Sequence, residues 1–545
     1  MTASDAALIA RSAATPVSSA RGVQHSDAAF MDVEGAQRWL KTLPLTNVSQ
    51  LTSALEKQLR AMAELDYAPR ERARIAELIR EQVAHVHNEL ARRYAGKPQP
   101  AGERELEAAE QAIGLWQALW VQYSMCLKPL LDGDAELQGV KPKLLQRGLY
   151  VGKQLVLVYG LARRSPPPAV WQEIHAYFRL AEILDCAGTA VSDELMPNAV
   201  GISCHSTYSH TLLLALADPC SLTVKQIELT DRWLQMWARK IFPYSNPREA
   251  EGPVLLIDLE AGVGAGLVSS APKQPSASMR FGYPHKLSLS VRGRIKRLQT
   301  GADPAELQLG RDCGIDQCTL LLSHLDAKWY QLPRSTTGVP TSLLSLCGGG
   351  LMGAFFRVSG HTFDGADSHA TYQSGARALH LQTLGATAEY DRGRDDAERT
   401  WAWEEWQGGY EGRDAWLIRA GGMRYRWGLE QLVIVRDSER QRLGYVTRVA
   451  QGQGELSMAL RLFSAKPQAI IVRAVTSALA EDPPMAGMLL AETSDDKSSL
   501  ILPPRTFNPG RIVRTMMSGP ERKWRLNRLL QRGADFERVS YEELD

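Results

Sequence analysis

The stretch from Gln431 to Val475, QLVIVRDSERQRLGYVTRVAQGQGELSMALRLFSAKPQAIIVRAV, constrains the fold more than any other, because strand signals recur in it at a constant beat. Four runs rich in β-branched and aliphatic residues, LVIV, LGYVTRV, ELSMALRLF and QAIIVRAV, are separated by polar or Gly-containing turns. In ELSMALRLF the apolar Leu456, Met458, Leu460 and Leu462 alternate with Ser457, Ala459 and Arg461, so one face enters a core while the other meets water. The spacing predicts an antiparallel meander of all four runs. Further strand runs follow in GMLLAET, SSLILP and GRIVRT, and then in KWRLNRLL and FERVSYEE, a pair joined by Gln531-Arg532-Gly533-Ala534-Asp535. A series this long leaves an open edge unless it closes on itself, so a small barrel is expected.

Upstream, from Val33 to about Pro243, the period is helical. NVSQLTSALEKQLRAMAEL opens on a cap at Asn47 or Ser49 and sets Leu51, Leu55, Leu59, Met62 and Leu65 along one face. PRERARIAELIREQVAHVHNELARRYAG places Pro69 at the first helical position and Gly96 at the stop, with Ile75, Leu78, Ile79, Val83, Val86 and Leu90 as its stripe. More helices are predicted in ERELEAAEQAIGLWQALWVQYSMCLKPLL, PKLLQRGLYVGKQLVLVYGLARR, AVWQEIHAYFRLAEILDCAG, SHTLLLALAD and TVKQIELTDRWLQMWARKIF. Short connections between them imply an antiparallel array or bundle. The fold class expected is therefore α+β and multidomain, an N-terminal all-α array or bundle followed by a C-terminal antiparallel β-barrel. Residues 1–30 read as a disordered leader, 31–250 as the helical domain, 251–330 as a mixed connecting region and 331–545 as the barrel domain. PRSTTGVPTSLLSLCGGGLMGAFFRVSG is where loop gives way to the first β-type segment, and residues 361–399, ending in EYDRGRDDAER, read as an inserted loop.

A chain of 545 residues with 44% hydrophobic content exceeds one core. Lys plus Arg (63) nearly balances Asp plus Glu (61), so no bulk charge steers it to nucleic acid and any anion recognition must be local. Seven scattered cysteines without a disulfide-framework spacing imply a reducing cytoplasm. No apolar run reaches the ~18 residues of a membrane span, and the leader has no signal-type core.

Motifs for chemistry are sparse. DLEAGVGAGLV follows an apolar run but matches GxGxG, with no acidic residue at the dinucleotide-fold distance, and reads as a turn between domains. CHSTYSH supplies Cys204, His205 and His210 at a spacing poor for zinc, and Cys313 with Cys318 lacks a matching pair, so no metal site is expected. No GxSxG elbow or spaced pair of carboxylates is present, and no catalytic residue is assigned. SVRGRIKRL gathers Arg292, Arg294, Lys296 and Arg297 on what reads as a solvated face. Trp116, Trp120, Trp171, Trp233 and Trp237 stand at helical spacing, where aromatic residues belong to a core. Arg334 lies in the loop PRSTTG before the first strand of the barrel domain, where a guanidinium can grip phosphate through two bonds and stack on a purine.

The order LLSHLDAKWYQLPRSTTG, LLSLCGGGLMGAFFRVSGHTF, WEEWQGGYEG, QLVIVRDSERQRLGYVTRV and AKPQAIIVRA resembles the bacterial PilZ-type regulators, over roughly Leu320 to the end. The resemblance implies a six-stranded barrel that binds the second messenger cyclic di-GMP without catalysis, through an RxxxR motif on the leading loop and [DN]xSxxG on an early strand. Arg334 takes the place of the first arginine, while Gly338 stands where the second would be. The second motif corresponds to Trp406-Gln407-Gly408-Gly409-Tyr410-Glu411-Gly412, which keeps its glycines and lacks the Asp or Asn and the Ser. The ligand-binding set implied is Arg334, Gly408 and Gly409, with Arg392 and Arg394 of the inserted loop standing in for the missing arginine. The function implied is a cytoplasmic signalling protein that has no further cofactor, senses cyclic di-GMP and relays it to a protein partner through its helical half. The alternative is an interaction scaffold whose degenerate barrel no longer binds the nucleotide.

Overall fold

A computed structural model of the chain describes residues 28–197, 199, 201–333, 342–363, 396–438, 440–477, 480–515 and 522–544. They fall into two compact units, one drawn from Met1–Lys97 and Ala101–Ser335, the other from Pro98–Pro100 and Thr336–Asp545.

The first unit is helical. Its elements are α1 (Val33–Thr42), α2 (Val48–Glu64), α3 (Pro69–Tyr94), α4 (Glu103–Ser124), α5 (Leu127–Leu131), α6 (Ala135–Gln138), α7 (Lys141–Leu161), α8 (Pro168–Ile183), α9 (Cys204–Leu216) and α10 (Val224–Trp237). The Asn47 side chain caps α2 by accepting the Gln50 N–H at 3.2 Å, and Leu51, Leu55, Leu59 and Met62 are buried as their spacing predicts. Pro69 opens α3, and Gly96, at φ +65, lies just beyond its end. Helix α7 is buried nearly all round from Leu144 to Leu161. It sits that deep because Gly148 and Gly152, one turn apart, let α8 come close: a Cβ on Gly148 would stand 2.0 Å from the Tyr177 ring, and one on Gly152 2.6 Å from Ile174. The sequence VLLID forms β1 (Val254–Asp258), the centre of a small antiparallel sheet between β2 (Gly266–Val268) and β3 (Met279–Gly282). Helices α11 (His285–Gln299) and α12 (Ile315–Tyr330) complete the unit around one continuous apolar core.

The expected C-terminal antiparallel barrel fold is present, and the described strands of the second unit close into two such barrels. The first comprises β4 (Ser342–Cys347), β5 (Glu404–Glu411), β6 (Asp414–Ala420), β7 (Leu432–Arg436), β8 (Gln441–Gln451) and β9 (Glu455–Leu462), in the order β4-β5-β6-β9-β8-β7. Its core includes Leu344, Leu346, Trp406, Val433, Val435, Leu456, Met458, Leu460 and Leu462. The second comprises β10 (Pro467–Ser477), β11 (Ala480–Glu481), β12 (Met485–Leu490), β13 (Ser499–Leu502), β14 (Ile512–Thr515), β15 (Arg522–Arg532) and β16 (Glu537–Leu544). It closes because β10 pairs with both β12 and β14. The meander is therefore three strands, β7 to β9: QAIIVRAV turns away from β9 and founds the second barrel. Among the described residues of the first β-type segment, SLLSLC is strand, and GLMGAFFRVS is helix α13 (Gly350–Ser359), started by Gly349 and Gly350 at φ +87 and +58. Residues 364–395 of the expected inserted loop lie outside the described residues.

The run LVIV is apolar throughout because both its faces are covered. Val433 and Val435 point into the first barrel, while Leu432 and Ile434 join Leu351 and Ala354 of α13 and Met488, Leu490, Ile501 and Phe536 of the second barrel. This shared apolar layer holds the barrels side by side.

Candidate functional site

Where the shared layer ends, a cleft of about 930 Å³ opens between the β5–β6 turn, the β7–β8 turn, α13, the 462–467 connection and the β12–β13 loop. Among the described residues, six cationic side chains line it, Arg357, Arg413, Arg436, Arg440, Arg442 and Lys466, against two acidic ones, Asp437 and Asp495.

Arg436 is the first exposed residue of β7. The turn that follows is held by Asp437, whose carboxylate accepts the Arg440 N–H at 2.8 Å and the Tyr410 hydroxyl at 2.6 Å. That hydrogen bond, then burial, pushes the Tyr410 phenol up, so it stays protonated as the donor. The same ring carries Arg442, whose guanidinium carbon lies 4.2 Å from the ring centre. Arg436 lies over Trp403 at 4.5 Å, and Arg357 approaches that ring at 5.2 Å. Arg357 donates to Trp401 O at 2.8 Å and to Glu398 at 2.6 Å, and Arg413 pairs with Asp496 at 2.9 Å. Arg436, Arg440, Arg442 and Lys466 have no carboxylate within 4.0 Å among the described residues. Cations gathered in one cleft repel one another, and an anion relieves that repulsion. A guanidinium over an aromatic ring can still bond phosphate through its N–H groups and stack on a planar base.

Of the residues expected to bind a ligand, Arg334, Arg392 and Arg394 lie outside the described residues. Gly408 and Gly409 are buried in β5, and a Cβ on Gly408 would stand 2.1 Å from the Trp416 carbonyl oxygen, so this glycine serves the close approach of β5 to β6. The same WQGGYEG segment reaches the cleft through Tyr410 and through Gly412, which lines it. The cations of the β7–β8 turn escaped the sequence reading. One local signal marks them: in RDSER, Arg436 and Arg440 stand four apart, the arginine spacing that the resemblance asks for on another loop.

The other motifs are absorbed by packing. DLEAGVGAGLV is the β1–β2 connection, where Gly262 abuts Pro168 and Gly264 abuts Trp171. In CHSTYSH, the start of α9, Cys204 is buried, His210 bonds Asp231 at 2.8 Å and burial lowers His205 to about 4. No group of three His, Cys, Asp or Glu among the described residues is placed to hold a metal ion, and no described helix is long and apolar enough to cross a membrane. SVRGRIKRL lies on α11, with Arg292 paired to Asp326 at 2.8 Å. Trp116, Trp120, Trp171, Trp233 and Trp237 are all buried.

Residues 34–242 match a family model described as the N-terminal domain of the cyclic-di-GMP receptor FimW, and residues 470–544 match the FimW C-terminal beta-barrel domain. The second match coincides with the second barrel, and the first barrel lies between the two matched segments. No curated protein and no solved structure matches the chain.

Proposed function

We propose that this chain, which carries both named domains of the FimW family of cyclic-di-GMP receptors, binds cyclic di-GMP in the cleft between its barrels and relays the bound state to a protein partner. The observation that carries the reading is the set Arg436, Arg440, Arg442 and Lys466, cations without a carboxylate partner among the described residues around a cleft of dinucleotide size. Two phosphates on one small ring match such a set, and its two purines match the guanidinium and aromatic faces. The six-stranded first barrel takes the part that the PilZ resemblance gives it, with its arginines on the β7–β8 turn. Binding, and no chemical step, is the activity. The relay is supported by the outer face of α11, where Leu289 is 56% exposed among the exposed Lys286, Lys296 and Arg297.

Isothermal titration of the full chain with cyclic di-GMP tests the reading. Saturable binding is expected, and replacing Arg436 and Arg440 together by Ala should weaken it roughly a hundredfold or more, since each charge-assisted contact is worth about 1.5–3 kcal/mol. No heat up to about 100 μM ligand leaves the scaffold reading in its place. Equal affinity in the double variant moves the site elsewhere.

A further inference from the structure

Two described groups in the cleft, Asp437 and Asp495, run against its charge. Asp495 lies in the β12–β13 loop, and among the described residues its carboxylate has a single hydrogen-bond partner, the Ser494 hydroxyl at 3.2 Å. The loop itself is anchored. The Thr493 hydroxyl accepts the N–H of Asp495 at 3.3 Å and of Asp496 at 3.1 Å, and Asp496 is paired with Arg413 at 2.9 Å and Arg538 at 3.6 Å. The other acid of the cleft, Asp437, is engaged by Tyr410 and the Arg440 backbone. Asp495 is thus a carboxylate held at a cationic cleft with no cation within 4.0 Å among the described residues.

We propose that Asp495 reads the Watson–Crick edge of one guanine of the bound dinucleotide, an inference that rests on the function proposed above. A guanine presents two adjacent donors on that edge, N1–H and the N2 amino group, and a carboxylate accepts both with its two oxygens. Adenine presents an N1 lone pair beside its N6 amino group, so one carboxylate oxygen faces an acceptor. The cationic side chains supply only donors, suited to phosphates, and Asp495 supplies the acceptor pair that distinguishes the base.

The charge argument gives the test an unusual sign. By electrostatics alone, removing a negative charge from the cleft strengthens the binding of any anionic dinucleotide. If Asp495 reads guanine, Asp495→Ala weakens cyclic di-GMP about ten- to a hundredfold, the discrimination typical of one bidentate base contact, while cyclic di-AMP binds the same variant as well as or better than it binds the wild type. Titrations of both ligands into full-length wild type, Asp495→Ala and Asp495→Asn measure this, with thermal melting as the folding control. Asn presents one acceptor and one donor, so Asp495→Asn should narrow the preference for cyclic di-GMP. Unchanged or tighter cyclic di-GMP binding in Asp495→Ala overturns the proposal and leaves the function reading intact. Equal weakening of both ligands also overturns it, since base reading predicts opposite effects. Wild type that binds neither ligand overturns both.

Discussion

Trp403 and Tyr410 lie under the Arg436 and Arg442 guanidiniums, so in the proposed site the aromatic residues would act on the ligand without touching phosphate. Trp403→Ala frees the Arg436 guanidinium and should weaken cyclic di-GMP about two- to fivefold, in line with an exposed cation–π contact of about 0.5–1 kcal/mol. An unchanged affinity by titration would show that Arg436 needs no platform. Asp535 offers a second measurement at this scale. Its carboxylate accepts the Leu432 N–H at 2.8 Å, and burial raises it to about 6 from the usual 3.8. The folded state keeps that proton up to about pH 6 while the unfolded chain releases it near 3.8, so between those values folding binds protons and stability falls as pH rises. Asp535→Asn should therefore be more stable than wild type above pH 6, by about 1–3 kcal/mol, with the gain vanishing toward pH 4. Denaturation midpoints of the pair across pH 4–8 check it, and parallel curves would contradict it. Residue identity alone revealed little of the cleft, because its cations come from α13, the β5–β6 turn, the β7–β8 turn and the 462–467 connection. Only Arg436, Arg440 and Arg442 are neighbours in sequence, and their spacing was legible without the closure that makes it meaningful.

Within single elements, local rules carried the reading far. Asn47, Pro69 and Gly96 mark helix ends through backbone needs that act within one turn, and the alternation from Leu456 to Leu462 follows from the pleat of one strand. The glycines of α7 were silent in the sequence because their partner, Tyr177, lies on another helix. Gly148→Ala sets two effects against each other. Alanine gains up to about 1 kcal/mol of helix propensity, while the new Cβ meets the Tyr177 ring, whose hydroxyl is tied to Ser124 at 2.9 Å. Overpacking at a fixed ring costs about 1–3 kcal/mol, so a lower melting temperature is expected. A raised one would show that α8 yields. Helix α13 reads as β-type in the sequence because its apolar run is short, and length alone separates buried helix from buried strand there.

At the scale of the whole molecule, the number of barrels was hidden for a physical reason. Every strand from β7 to β16 has acceptable local patterning, and whether β10 adds to β9 or departs to β12 and β14 is set by pairing far along the chain. That choice creates the cleft, since one continuous barrel would have no second wall carrying Lys466 and Asp495. The most direct test of the central claim is therefore where the ligand slows amide exchange in the full chain. With saturating cyclic di-GMP, exchange should slow around Arg436, Arg440 and Gln441, in Phe463 to Lys466 and in Thr493 to Asp496, while the strands behind them change little. Protection confined to the loop from Leu332 to Ser345, with those three segments unaffected, would contradict the account and return the site to the neighbourhood of Arg334.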